Sequence, residues 1–399
     1  MRPNKLASAV GIPPRSLLDV EKDCEMTITT KSVFSALFGG FATVAACSGE
    51  PTPEMRMPEG ARLVFDEDWS GGRIDPGKWY ILRRHWGEGN NGVVPENVFL
   101  TQDTVNGKTK DVLVLRGHGD QYAGPVVGWD GQRTRVGGTI VSKAYFASGR
   151  YEVVMKIGSA TPSTKGPKDP RRPIGMVPAI WTYAYRWIEA EGADPKAFNR
   201  KNPLFNPYLK NEYWSEIDFP EFGKMQNLET GLYNVYTNSN TQSRTFSTKA
   251  VIDGQYHKFT TIWRTHLVPL PEVTDLQVVE SEGRYWIQDL SVPFSSYRGN
   301  PLKRLGKDQY VLCTGKEVIH FIDDQFVGKN PTQVPAMAAQ LNIGVWFPGW
   351  GGAAPWEEAT VSVASVKVWQ FDDPGDVRDV LKGDIPNNMD IEGNPLKRE

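Results

Sequence analysis

The sequence predicts an all-β fold, a sandwich or barrel of antiparallel strands, and three observations carry that expectation. After residue 60 the chain is a succession of short apolar runs separated by Gly, Pro, Asn and Asp. One run, 150–157, alternates with period two. Tyr151, Val153, Met155 and Ile157 fall on one face and Arg150, Glu152 and Lys156 on the other, the pattern of a half-buried strand. Long stretches of helical periodicity are missing.

The runs 61–65, 112–115, 139–142, 150–157, 260–263, 318–326 and 361–369 are read as strands. The best helical candidates, 195–199 and 376–381, are short. Segment 189–213 is mostly polar, with several Lys and Asn, and reads as a long loop insertion of the kind that often carries function. Asn106-Gly107-Lys108-Thr109 lacks the upstream glycine of a phosphate loop and reads as a turn. No internal repeat is visible. The body, 61–371, is expected to form one domain, because all-β sandwiches run past about 200 residues as single units. The tail 372–399 is acidic and expected to be loosely held.

Hydrophobic residues make up 39% of the 399 positions, enough for a sizeable core. A formal net charge of −2 excludes a generally basic, nucleic-acid-coating protein. Trp is costly to scatter on a surface, so some of the 13 are expected to line a site. Cys24, Cys47 and Cys313 are too few and too far apart for a disulfide framework or a zinc site, and Cys313 reads as a small buried hydrophobe. His85, His118, His257, His266 and His320 show no metal-ligand spacing and read as structural or surface residues. A Gly-x-Ser-x-Gly elbow is missing too. No metal or organic cofactor is implied.

Near the N-terminus, Lys31 precedes an apolar run at 33–42, and Ala45-Ala46 stands directly before Cys47. This is a charged start, a short apolar stretch and a small-residue cleavage site. The run is too short to span a hydrocarbon core of about 30 Å. Val44-Ala45-Ala46-Cys47 resembles the lipobox of bacterial lipoproteins, with Val in place of the usual first Leu. The resemblance implies that 1–47 is a targeting segment, with a signal peptide from Met26 to Ala46 and lipidation at Cys47. Residues 48–60 would then be a linker. The implied product is exported, either periplasmic or lipid-anchored to the outer membrane, including at the cell surface. A plain signal peptide or a buried N-terminal strand are the other readings.

The chemistry concentrates in Tyr213-Trp214-Ser215-Glu216-Ile217-Asp218-Phe219-Pro220-Glu221-Phe222. On a regular strand Trp214, Glu216 and Asp218 share a face, and Glu221 points away. A β-bulge at Phe219-Pro220 would absorb one residue and return Glu221 to that face, and proline is tolerated at bulges. Three carboxylates on one face repel, so at least one pKa must rise. A retaining glycosidase needs that arrangement: one ionised nucleophile beside one protonated acid. Asp218 would hold the nucleophile's charge state, and Trp214 would offer an apolar face to a sugar ring. The competing reading is an acidic solvent face, against which stand the flanking Trp214, Ile217, Phe219 and Phe222.

Glu-x-Asp-x-x-Glu with an aromatic residue two places upstream resembles glycoside hydrolase family 16. Other segments match in order over 61–371: Leu63-Val64-Phe65-Asp66-Glu67-Asp68-Trp69 with Trp79, Gly137-Gly138-Thr139-Ile140 with Gly149-Arg150-Tyr151-Glu152, and Pro178-Ala179-Ile180-Trp181. Tyr256-His257-Lys258-Phe259 with Trp263, Leu341-Asn342-Ile343 with Trp346 and Trp350, and the last strand 363–369 complete the set. The resemblance implies a β-jelly roll of two curved antiparallel sheets with a concave substrate cleft. It implies Glu216 as nucleophile, Asp218 as assistant and Glu221 as acid/base. Trp181 and Trp214 are expected to stack sugars, with Trp346 and Trp350 nearer the rim.

Two positions depart from the family. Many members carry a His on the strand after the catalytic one; here Thr237 or Asn238 is expected in that role. Many bind calcium through an Asp in the last strand; Ala364 or Ser365 stands there, which argues against a structural calcium. The expected activity is endo-acting, retaining cleavage of internal β-linkages in a polysaccharide by a monomer. A carbohydrate-binding protein without catalysis and a transglycosylase are the alternatives. The extra residue in the motif argues against the lichenase type. Arg83-Arg84, Arg133 with Arg135, Lys165 with Lys168, and Arg171-Arg172 lean toward a marine galactan such as agar or carrageenan over a β-1,3-glucan, because Arg pairs bidentately with sulfate-like oxyanions.

Overall fold

The computed structural model describes residues 55–84, 91–161, 172–187, 212–237, 240–248, 251–281, 284–289 and 296–378. The targeting segment, Cys47 and most of 189–213 lie outside the described residues. In chain order the strands are β1 (Arg62–Glu67), β2 (Trp79–Ile81), β3 (Val98–Val105), β4 (Lys108–His118), β5 (Gly138–Phe146), β6 (Gly149–Ile157), β7 (Val177–Trp187), β8 (Glu212–Phe222) and β9 (Thr230–Thr237). They continue as β10 (Asn240–Ser247), β11 (His257–Pro269), β12 (Val278–Ser281), β13 (Arg284–Asp289), β14 (Ser296–Gly306), β15 (Gln309–Ile322), β16 (Gln325–Asn330), β17 (Ala339–Trp346) and β18 (Glu358–Gln370).

These strands build a jelly-roll sandwich of two antiparallel sheets. The larger runs β12-β13-β14-β15-β11-β6-β18-β4-β3, with β1 beside β18 and β16 beside β15. The smaller runs β10-β9-β8-β7-β17-β5-β2. The alternation seen in the sequence sets the layers. On β6, Tyr151, Val153, Met155 and Ile157 are buried, and they meet Ile180, Ile217, Val235 and Ile343 of the smaller sheet in one core. Every run read as a strand lies in one, except that 318–326 folds back on itself. Asp323 and Asp324 take φ of 49° and 66° there and turn β15 into β16. Consecutive left-handed residues are the signature of a tight hairpin turn. The expected turn at Asn106-Gly107, with φ of 50° and 76°, joins β3 to β4 in the same way.

Three features depart from the sequence reading. Of the short helical candidate 376–381 only 376–378 are described, and there Val377 is buried and forms a parallel bridge with Met337. The tail is held at its start: Arg264 grips Asp373 at 2.7 and 2.9 Å, and Asp376 accepts from Ser148 at 2.8 Å and Thr265 at 2.6 Å. The linker is docked at Met55, which is buried against Ile262, Ile319, Phe321 and Phe371. The packed body therefore reaches from Met55 to Arg378. Cys313 is a buried free thiol, as its composition suggested.

Candidate active site

β8 sits third from the β10 edge of the smaller sheet, between β7 and β9. Its odd positions face the core: Ser215, Ile217 and Phe219 are buried, and the Ser215 hydroxyl donates to the Met337 carbonyl at 2.7 Å. Its even positions, Trp214, Glu216 and Asp218, face the other way. Asp218 pairs with Trp181 on β7 and Asn234 on β9, whereas Glu221 pairs with Ala179 and Leu232. Three residues on β8 thus span two on each neighbour. That is the expected bulge, it contains the cis Phe219–Pro220 bond, and it returns Glu221 to the face of Asp218.

The result is an open cleft of about 360 Å³ lined by Trp181, Trp214, Glu216, Asp218 and Glu221, with Asn234, Tyr236 and Ser243 from β9 and β10 and Trp346 and Trp350 on the far side. Trp346 and Trp350 meet edge to face, their centroids 5.7 Å apart. Trp181 is 6% exposed, so little more than an edge of its ring reaches the cleft. Trp214 stacks on Tyr236 and donates its indole N–H to Glu216 at 2.6 Å. It is therefore an anchor for the carboxylate and not simply a platform.

Burial dominates the electrostatics. It raises Glu216 to about 8, opposed by hydrogen bonds from Trp214 and Asp218 and reinforced by the charge of Glu221. Asp218 is raised by burial and then by the charge of Glu216, to which it donates when protonated. Glu221 is raised to about 8 by burial and by Asp218, against hydrogen bonding from Asn234 and the charge of Lys224. One buried carboxyl, Asp218, and two partly buried ones, Glu216 and Glu221, hold their protons together in one cleft. Glu216 collects two donors, from Trp214 and Asp218, so the first negative charge settles there.

Asn234 is the residue that sequence reasoning missed. Its amide nitrogen donates to Asp218 Oδ2 at 3.0 Å and to Glu221 Oε2 at 3.1 Å. Thr237 does not take that role. It pairs with Ser215 and so shares the core face, where its hydroxyl is buried. Asn238 lies outside the described residues. The described basic residues have partners at the protein surface: Arg83 pairs with Glu96, Arg135 with Asp120 at 2.8 Å and Arg172 with Glu229 at 2.7 Å. Arg133 donates to the carbonyls of Ala123 and Gly124 at 3.2 and 2.9 Å. Arg84 carries interactions of its own, and Lys165, Lys168 and Arg171 lie outside the described residues. Among the described residues no group of three or more His, Cys, Asp or Glu is placed to hold a metal ion. Ala364 is buried in an apolar cluster with Val105 and Val112.

No protein-family model matches the chain, and no curated protein matches it. Solved structures similar to it include porphyranase B from Zobellia galactanivorans, at 15% identity and a TM-score of 0.47, covering 80% of this chain and 97% of that one. The catalytic domain of an endo-1,3-β-glucanase (laminarinase) from Thermotoga petrophila is 15% identical with a TM-score of 0.44, over 79% of this chain and all, 100%, of that one. A Bacillus licheniformis β-glucanase is 16% identical with a TM-score of 0.42, over 78% of this chain and 99% of that one. At such distances the chemistry of this chain has to be read from its own residues.

Proposed function

We propose that this chain is a retaining, endo-acting glycoside hydrolase that cleaves internal β-linkages of a neutral polysaccharide. The supporting observation is the grouping of Glu216, Asp218 and Glu221 in one aromatic-walled cleft, with Asn234 bonded to the last two. Glu216, favoured as the charged member by its donors, attacks the anomeric carbon. Glu221 hands its proton to the glycosidic oxygen as that bond breaks. Glu221, now a carboxylate, takes a proton from the water that displaces Glu216, and the anomeric configuration is retained.

The reading of a neutral chain sets aside the anionic side of the galactan lean, because none of the described arginines that suggested it lines the cleft. Lys224 is the one cation among the described lining residues. An unsulfated galactan and a β-1,3-glucan both fit this reading. Export as a lipoprotein through Cys47 belongs to the same proposal. Incorporation of labelled fatty acid, lost in Cys47→Ser, is the expected result, and unlabelled wild type would refute it.

The test is to incubate the purified protein with laminarin, lichenan, agarose, porphyran and the carrageenans and to follow product size. Oligosaccharides from a neutral polymer are expected. Release confined to sulfated chains would overturn the neutral reading, and no release from any polymer would overturn the enzyme. Glu216→Gln should lose activity by about 10³-fold or more. Glu221→Gln should be partly rescued by azide, with retention at the anomeric carbon.

A further inference from the structure

Asn234 is 2% exposed, and each of its contacts is to a group that matters for the chemistry. One amide nitrogen serves two carboxyls, Asp218 at 3.0 Å and Glu221 at 3.1 Å. Its carbonyl oxygen accepts from the Ser243 hydroxyl at 2.5 Å. Ser243 stands directly across from Asn234 in the β9–β10 ladder, as Asn234 stands across from Asp218 in the β8–β9 ladder. The two carboxyls draw the nitrogen end of the amide toward them, and the Ser243 hydroxyl, donating to the oxygen, completes the other end. An amide turned by 180° would set its oxygen against two acidic groups.

We propose that Asn234, hydrogen-bonded from behind by Ser243, is the positioning residue that locks Glu221 against Asp218 and sets the ease with which Glu221 releases and regains its proton. This rests on the glycosidase reading of the trio. A primary amide donates to both carboxyls without exchanging a proton itself, so it orients Glu221 without competing for its proton. Donation favours the ionised carboxylate, the form needed to activate water in the second step. The other charged and titratable groups facing Glu221 are Asp218 and Glu216 from β8, Lys224 from the turn after it and Tyr236 from β9. β7 presents Ala179 and Trp181, and the far wall presents Trp346 and Trp350, all uncharged.

The experiment compares Asn234→Leu, Ser243→Ala and Ser243→Thr with wild type in two readouts. Carboxyl-labelled ¹³C NMR should show the Glu221 titration moving to higher pH in Asn234→Leu, by about one pH unit for a lost charge-assisted bond. Ser243→Ala should move it the same way by less, and Ser243→Thr should restore it. The alkaline limb of kcat/KM should follow the titration, with kcat/KM about 10- to 100-fold lower in Asn234→Leu. A Glu221 titration unmoved in both Asn234→Leu and Ser243→Ala would overturn the proposal. A wild type without activity would refute the glycosidase reading, and the titration would still decide the role of Asn234.

Discussion

The indole nitrogen of Trp214 donates to Glu216 Oε2 at 2.6 Å, while the same ring lies flat on Tyr236, 5.1 Å between centroids and 13° from parallel. The stack holds the indole in place, and the N–H then holds the carboxylate. Two residues apart on one strand, Trp214 and Glu216 share a face by the pleat alone, and Tyr236 of the neighbouring strand fixes the ring.

Trp214→Phe keeps an aromatic ring on Tyr236 and removes the donor. A hydrogen bond to a charged group is worth about 1.5–3 kcal/mol, so kcat/KM should fall about 10- to 100-fold. The bond favours the ionised form of Glu216, so its loss raises the pKa further. The acidic limb of the rate profile, where the nucleophile is protonated, should move to higher pH. A fall in rate with that limb unmoved would show that Trp214 acts through packing.

Stability should also depend on pH through Glu221. Its carboxyl titrates at about 8 in the folded protein against an ordinary value of 4.5. A group raised by folding favours the folded state below its unfolded pKa, and that contribution fades as pH climbs through the folded value. Wild type should therefore lose stability between about pH 4.5 and 8.5 relative to Glu221→Gln, which carries no charge in either state. The full difference is about 2–5 kcal/mol, the lower figure allowing for solvent entering the open cleft. Calorimetry at pH 4.5 and 8.5 should find the two proteins close at the lower pH and the variant higher melting at the upper. An equal gap at both would place the effect in packing.

How much of this was legible in the sequence follows from how local each feature is. The shared face of Trp214, Glu216 and Asp218 follows from period two, and the bulge followed from an odd offset with a proline inside it. Both need only ten consecutive residues. Asn234 needed the register of β9 on β8, which is fixed by the turn between them, entered through Gly223 at φ 86°. Leu232, Asn234 and Tyr236 share a face by the same period-two rule, and an Asn between Tyr233 and Val235 was the available signal. Thr237 failed because one residue of parity sends a side chain to the opposite face. The arginines were legible as cations but not as spent ones. Arg172 meets Glu229 across 57 residues, and nothing local announces that contact. The short β12 and β13 went unforeseen because neither carries a long apolar run.

The tryptophans of the cleft should separate by what else they hold up. Trp181 is nearly buried, in the middle of β7 between β8 and β17. Trp181→Ala should cost about 3–5 kcal/mol of stability and lose activity with it. Trp350 sits in the short 3-10 turn Gly349–Gly351 at the cleft wall, outside both sheets. Its loss removes a ring from the cleft wall and little core, so, on the proposed role in stacking sugar, Trp350→Ala should raise KM several-fold with a melting temperature near wild type. Trp346 lies between these cases, because it packs on the cluster of Tyr80, Leu82, Val93 and Val141 and also meets Trp350 edge to face. Trp346→Ala should therefore lower both binding and stability. The decisive measurement is KM against melting temperature for the three variants on one polymer. If Trp350→Ala melts low with an unchanged KM, the turn is a structural brace and the sugar runs along another wall.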